Sequence, residues 1–197
     1  MITISEYQGE ESLRNQFLRI LSVVDQDFVP ALSRRQSLEF WIQLFEKGII
    51  LYAIEDETIA GFLAYYPSLN AVMLEELRPF VNINPVLSSP ATNKPFQGAY
   101  LHFIAVSPEF RGKQVGSGLM TALLEDAQRN GAAKLRVVTW STNERSLNLY
   151  KKHGFLEFRC IDNDRGKGID SVYLEANIPN FVPLEEKTAA QRGMVIL

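Results

Sequence analysis

Val106-Ser-Pro-Glu-Phe-Arg-Gly-Lys-Gln-Val-Gly-Ser-Gly-Leu-Met120 carries the end of an apolar segment through a basic, glycine-rich loop into a helical pattern. Upstream, Tyr100 to Val106 is rich in β-branched and aromatic residues and predicts a strand. Downstream, Leu119, Leu123, Leu124 and Ala127 fall on one face of a helix over Ser117 to Asn130, with Gly131 placed as its C′ residue. A strand that enters a helix through such a loop makes an anion site. The first helical amides are unpaired, glycines let oxygens approach the backbone, and Arg111 and Lys113 flank the junction. For those two cations the plainer reading is a solvated basic loop. Gly112-Lys113-Gln114 lacks the Walker spacing and its Ser or Thr, and Gly116-Ser117-Gly118 is followed by Thr121 where the dinucleotide fingerprint needs Gly or Ala.

Leu135 to Trp140 reads as the next strand, which makes a parallel β-α-β unit of the centre. Working outward, Met1 to Tyr7 alternates like a strand, and Leu13, Phe17, Ile20, Leu21 and Val24 predict an amphipathic helix that ends before Pro30. A second helix carries Leu38, Trp41, Ile42, Leu44 and Phe45, with Ser37 as its cap and Gly48 as its stop. Ile49 to Glu55 and Ile59 to Tyr66 form a hairpin around Asp56-Glu57-Thr58. On the other side, Asn143 to Lys152 is a helix stopped by His153-Gly154. Phe155 to Ile161 and Ile169 to Ala176 then close a second hairpin around Asp162 to Gly168. The expected fold class is α/β: a mixed, mostly antiparallel central sheet flanked by helices, with the parallel β-α-β unit at its centre. One domain spans residues 1–176. Within it, 67–99 holds Pro67, Pro79, Pro85, Pro90 and Pro95 and reads as an insertion with a short helix near Ala71 to Leu77; its length and stiffness suit a substrate lid. Residues 177–197 read as a tail.

With 197 residues, 46% apolar and 22% charged, the chain has enough material for one core and excludes disordered and fibrous classes. A net charge of −3 gives no global cationic field for nucleic acid or an anionic membrane. One cysteine, Cys160, and two histidines, His102 and His153, point to a metal-independent protein. The N-terminus lacks the pattern of a secretory signal, and no apolar run reaches the about 18 residues of a membrane span, so a cytoplasmic location is expected.

Arg111-Gly-Lys-Gln-Val-Gly116 resembles motif A of the GNAT N-acetyltransferase superfamily, with Gln114 in place of the first motif glycine. Asn143-Glu-Arg-Ser146-Leu-Asn-Leu149-Tyr150-Lys-Lys-His-Gly154-Phe155 resembles that family's motif B, Asn-x-x-Ser/Ala-x-x-Leu-Tyr-x-x-x-Gly-Phe. The two occur in the family's order, and the resemblance extends over about Ile2 to Ala176. It implies a GNAT-type acyltransferase that uses acetyl-CoA, without metal, to acetylate a primary amine by direct transfer. The acceptor would be a small-molecule amine or a peptide amine, and the protein a possible homodimer. A rival of another class is a non-catalytic acyl-CoA-binding regulatory module.

The chemistry assigns work to named groups. Backbone amides over Gln114, Val115, Gly116, Ser117 and Gly118, with Arg111, Gly112 and Lys113, suit a pyrophosphate, and exposed backbone groups of Ile104 and Val106 suit a pantetheine arm laid on as an added strand. By family analogy a backbone N–H over Ile104, Ala105 and Val106 donates to the developing oxyanion. The resemblance also makes Tyr150 the general acid for the leaving thiolate and brings Asn143 and Ser146, in motif B, to the cofactor. On their own residue types Tyr150 reads as a packed aromatic and Asn143 as a helix N-cap. Strict strand alternation puts Tyr100, His102, Ile104 and Val106 on one face, so the His102 imidazole points with the cleft residues and can take a proton, as a histidine does in the arylalkylamine branch of the family. The alternative is a core histidine satisfied by a hydrogen bond. His153 reads as a helix C-terminal cap, and Cys160 as inert. For the acceptor, Asp25, Asp27, Glu39, Glu75 and Glu76 suggest a negative field, and Phe28, Trp41, Tyr65, Tyr66 and Phe80 an aromatic wall.

Overall fold

Apolar residues spaced at helical period and β-branched runs punctuated by tight turns assemble into one seven-stranded sheet in the computed structural model, which describes residues 2–28, 30–68, 96 and 98–178. In chain order the elements are β1 (Thr3–Glu6), α1 (Glu11–Val24), α2 (Leu38–Phe45), β2 (Ile49–Glu55), β3 (Thr58–Tyr66), β4 (Ala99–Val106), α3 (Val115–Arg129), β5 (Lys134–Trp140), α4 (Glu144–Lys152), β6 (Leu156–Ile161) and β7 (Ser171–Asn177). The strand order is β1-β2-β3-β4-β5-β7-β6. Among the described residues β4 and β5 make the parallel pair and the other neighbours are antiparallel, as expected of a mixed sheet with hairpins at both ends. Most of the 67–99 segment, including the short helix expected near Ala71 to Leu77, and nearly all of the 177–197 tail lie outside the described residues.

The helices cover both faces. α1 buries Phe17, Ile20, Leu21 and Val24, and α2 buries Trp41, Ile42, Leu44 and Phe45, against Phe62, Ala64, Tyr66, Tyr100 and Phe103 of one sheet face. On the other face α3 sets Leu119, Met120, Leu123 and Ala127, and α4 sets Tyr150, against Leu63, Tyr65, Leu101, Leu135 and Val137. The Ser37 side chain accepts from the Phe40 N–H at 3.1 Å, so the expected N-cap of α2 is formed. Gly48 ends that helix for a different reason from the one expected. Its φ is not left-handed, and a Cβ there would run into the Tyr65 carbonyl and the Tyr66 ring at 2.9 Å, so glycine permits a close approach to β3. The β2–β3 turn has φ of 48° at Asp56 and 64° at Glu57, the doubly left-handed two-residue turn whose twist matches a hairpin.

One irregularity shapes the centre. β4 pairs with β3 as Tyr65↔Leu101 and Ala64↔Phe103, so His102 is the extra residue of a β-bulge. β4 pairs with β5 only through Ala99, Tyr100 and Leu101. Where the bulge begins, the two parallel strands part.

Candidate active site

The parting leaves β4 from His102 to Val106 with β3 on one edge and, among the described residues, no paired strand on the other. Ser107 N–H donates to the Ala60 carbonyl at 2.9 Å, towards β3. Backbone groups alternate along a strand, so those of Ile104 and Val106 face the open edge while those of Ala105 face β3. The Val106 carbonyl already accepts from Arg111 Nε at 3.3 Å. The bulge also corrects the expected side-chain faces. Tyr100, Phe103 and Ala105 pack with α1 and α2, whereas Leu101, Ile104 and Val106 pack on the α3 side. Ile104 and Val106 therefore do not share a face with Tyr100, because one inserted residue inverts the alternation that follows it. His102 lies among rings, with centroids of Phe45 at 5.4 Å, Tyr66 at 6.0 Å, Tyr100 at 6.1 Å and Trp41 at 6.2 Å. Burial lowers the imidazole from 6.5 to about 4, and its Nδ1 is buried with no hydrogen-bond partner among the described residues.

Beyond β4 a 3-10 turn, Pro108–Phe110, leads into the loop. Gly112 has φ +82° and Gln114 has φ 64°, so the residue that replaces a motif glycine keeps a left-handed backbone suited to glycine. The first helical bond of α3 runs from Gly118 N–H to the Gln114 carbonyl, and no side chain caps the helix. The amides of Val115, Gly116 and Ser117 thus lack intrahelical acceptors. A Cβ on Gly116 would meet Leu149 at 3.5 Å and Val106 at 3.6 Å, ordinary contacts, so packing within the protein does not demand glycine here. The residues fit an anionic group on the loop and an extended arm along β4. The flanking cations are placed otherwise than expected: Arg111 Nη2 binds Asp27 at 2.5 Å, and Lys113 reaches Glu55 at 3.5 Å and lies 4.8 Å from the Phe110 ring centroid. Arg111 still lines the cavity beside β4; Lys113 does not.

α4 brings motif B to the opposite wall. Tyr150 is buried and lines the cavity; burial holds its phenol well above the usual 10, with the Ser146 hydroxyl bond opposing that shift. Asn143 does two structural jobs. Its carbonyl oxygen accepts from the Ser146 N–H at 3.2 Å as the α4 N-cap, and its amide donates to Thr139 Oγ1 at 3.2 Å, while it also lines the cavity. The His153 N–H donates to the Tyr150 carbonyl at 3.0 Å at the end of α4, as expected, but its ring also reaches Ser117 Oγ on the first turn of α3, at 2.9 Å. Two sequence-distant helices are tied together directly under the loop.

A cavity of about 850 Å³ joins the loop, the free edge of β4, Tyr150, His102 and the α1–α2 connection. At its far end Asp25 is buried and accepts from the Ser33 N–H, the Ser33 hydroxyl and Gln26 Nε2, and Asp27 lines the cavity while bound to Arg111. Arg35 and Arg165 line that end as well. The aromatic wall is partly as expected: Phe28 stacks on Phe103 at 5.4 Å and lies 5.7 Å from Trp140, and Trp41 is present. Tyr65 belongs to the other sheet face, where its hydroxyl donates to the Asp126 carboxylate of α3. Tyr66 donates to the Leu44 carbonyl at 3.0 Å. Glu75, Glu76 and Phe80 lie outside the described residues. Cys160 is exposed, and burial together with Asp170, Glu157 and Asp162 raises its thiol, the opposite of activation.

The Acetyltransferase (GNAT) family matches residues 14–155, which include both motifs, most of α1 and every later element through α4. The chain belongs to this family. A 55-residue stretch of this GNAT-family chain is 38% identical to thialysine N-epsilon-acetyltransferase of Bos taurus; it covers 28% of this chain and 32% of that protein. The fold is shared with solved GNAT relatives. The ribosomal-protein-S18-alanine N-acetyltransferase of Escherichia coli superposes with a TM-score of 0.63 at 18% identity, covering 93% of this chain and 97% of the other. Aminoglycoside 6'-acetyltransferase type Ii gives 0.67 at 16% identity, covering 91% and 99%. A Salmonella typhimurium protein solved with its cofactor acetyl-CoA gives 0.62 at 13% identity, covering 92% and 96%.

What the motifs of a GNAT protein do not reveal is the far end of the cavity. Arg35 and Arg165 stand in connecting segments, where a charged residue defaults to solvent, and strand alternation pairs Tyr100 with His102 but with neither arginine. No periodicity or spacing brings these three together.

Proposed function

We propose that this GNAT protein transfers the acetyl group of acetyl-CoA directly to a primary amine within a ternary complex. The observation that carries the reading is the free edge of β4 beside the uncapped first turn of α3, an extended backbone groove that ends on unpaired amides. The amides of Val115, Gly116 and Ser117 hold phosphate oxygens at the positive end of the α3 dipole. The outward backbone groups of Ile104 and Val106 align the pantetheine amides as an added strand would. When bound, acetyl-CoA supplies an acyl group activated as a thioester. Tyr150, buried and held protonated far above neutral pH, gives its Oη proton to the departing sulfur. His102 is neutral above about pH 4, and its unpartnered Nδ1 accepts from the incoming amine, directly or through a water.

Thermal unfolding with and without acetyl-CoA tests the reading. At 100 times its Kd the cofactor stabilises the fold by about 2.7 kcal/mol. The Gly116→Trp variant, which fills the space in front of the loop, loses that increment, while Gly116→Ala reports on whether the helix start itself tolerates substitution. Thiol release with an amine panel follows. No stabilisation of the intact chain contradicts the acetyl-CoA assignment; stabilisation without turnover of any amine contradicts transfer and leaves a non-catalytic acyl-CoA-binding module.

A further inference from the structure

The far end of the cavity joins three features from separate parts of the chain. Arg35 follows a 3-10 turn, Leu32–Arg34, in the α1–α2 connection, and Arg165 sits in the β6–β7 loop with its guanidinium 5.3 Å from the Trp140 ring centroid. Both are half-buried and both line the cavity. Tyr100 of β4 lines it as well, fully buried, with a hydroxyl that has no hydrogen-bond partner. The His102 ring, whose Nδ1 is also without a hydrogen-bond partner among the described residues, has its centroid 6.1 Å from that of Tyr100.

Each of these costs the fold something. Two guanidiniums facing one cavity repel: burial, and then the charge of Arg165, lower the Arg35 value below the ordinary arginine range. Asp164 faces Arg165 and offsets part of its charge, yet Asp164 also accepts from the Ser171 hydroxyl at 2.6 Å. The two acids of the α1–α2 connection that carries Arg35, Asp25 and Asp27, are taken up by Ser33 and Gln26 and by Arg111. A buried phenol without a partner forfeits a hydrogen bond. One bound group can meet these groups together. A carboxylate accepts from guanidinium and phenol at once, and an arginine with contacts inside the protein still has five N–H donors to distribute.

We propose that the acceptor is an amine that carries a carboxylate, held by Arg35, Arg165 and the Tyr100 hydroxyl, with its amino group at His102 Nδ1. The assignment rests on the acetyltransferase reading above and adds the chemical class of its second substrate. The short distance between Tyr100 and His102 lets both ends of one small molecule be engaged at once. The Phe28, Phe103 and Trp140 rings then enclose the intervening carbons. The β6–β7 loop becomes a specificity element, because Arg165 is the contact it delivers.

The test compares matched amines on the full chain with acetyl-CoA: lysine against cadaverine, phenylalanine against phenethylamine, and O-phosphoethanolamine against ethanolamine, followed by thiol release. The expected result is that a carboxylated member is turned over with kcat/KM at least about tenfold above its decarboxylated partner. In Arg165→Gln, and separately in Arg35→Gln, that ratio falls towards one, and Arg165→Lys recovers part of it. The acetyl-CoA-dependent rise in melting temperature is measured on every variant as the check of folding and of the cofactor end. Preference for the decarboxylated amines, a ratio untouched by either substitution, or preference for the phosphorylated amine alone overturns the carboxylate assignment. Failure of every carboxylated amine while acetyl-CoA still raises the melting temperature overturns the acceptor class without touching the cofactor reading. Loss of that rise in the unaltered chain removes the transferase reading itself.

Discussion

At the loop end of the cavity the groups on offer are backbone: the amides of Val115 to Ser117 and the outward edge of Ile104 and Val106. At the far end they are side chains, Arg35, Tyr100, His102 and Arg165, drawn from a turn, a strand and a hairpin loop. The difference explains what each end can recognise. Backbone amides arranged by a helix start and a parted strand suit a ligand common to a whole family, and they need only glycine and a chain direction to be specified. A side-chain end can be rebuilt residue by residue without disturbing the first, which suits acceptors that differ between relatives.

The strongest way to break this division is at Tyr150, which stands between the two ends. Tyr150→Phe removes the proposed acid and is expected to lower kcat by roughly 10²–10⁴-fold with acetyl-CoA affinity nearly unchanged, as read from steady-state kinetics and calorimetric titration. Unchanged kcat would reduce Tyr150 to a packed ring.

His102 sharpens the comparison next. Folding lowers its value from 6.5 to about 4, so between these pH values the unfolded chain binds a proton that the folded chain refuses. Stability is unaffected above pH 6.5 and falls as pH drops towards 4, by up to about 3 kcal/mol. Urea denaturation across that window should show a decline that shrinks in His102→Phe; an equal decline in both would place the acid sensitivity elsewhere.

The contrast between the two ends is also a contrast in legibility. Motif A and motif B are contiguous because a helix start, a glycine turn and an N-cap are local devices, and so the order of elements, and the loop and helix positions that line the cavity, could be read from the chain. The hairpin at Asp56-Glu57 and the Ser37 cap were legible for the same reason. The bulge at His102 was not. Nothing in Tyr100 to Val106 marks an inserted residue, and strict alternation therefore set Ile104 and Val106 on the wrong face. The Tyr65–Asp126 contact and the Ser117–His153 contact join residues far apart in sequence, so neither leaves a spacing signal. Of the expected acidic acceptor field, Asp25 and Asp27 have partners inside the protein and Glu75 and Glu76 lie outside the described residues, while Arg35 and Arg165, which line the cavity, come from connecting segments that carry no pattern.

Two smaller effects test the cofactor end. Asn143→Ala should cost about 1 kcal/mol of stability through the lost N-cap. If the same variant also weakens acetyl-CoA binding in calorimetry, the side chain serves ligand as well as helix; if affinity holds, the cap is its whole role. Gln114→Gly should stabilise slightly, by about 0.5 kcal/mol, because the left-handed backbone at φ 64° favours glycine by more than the added chain entropy costs. A loss of stability in chemical denaturation would mean that the Gln114 side chain holds the loop.

The central claim is that the parted edge of β4 and the first turn of α3 form one backbone site for acetyl-CoA. Amide hydrogen exchange of the full chain, with and without acetyl-CoA, tests it most directly. The account predicts new protection at Ile104 and Val106 and over Val115 to Ser117. Acetyl-CoA binding that leaves these amides exchanging as before would contradict it.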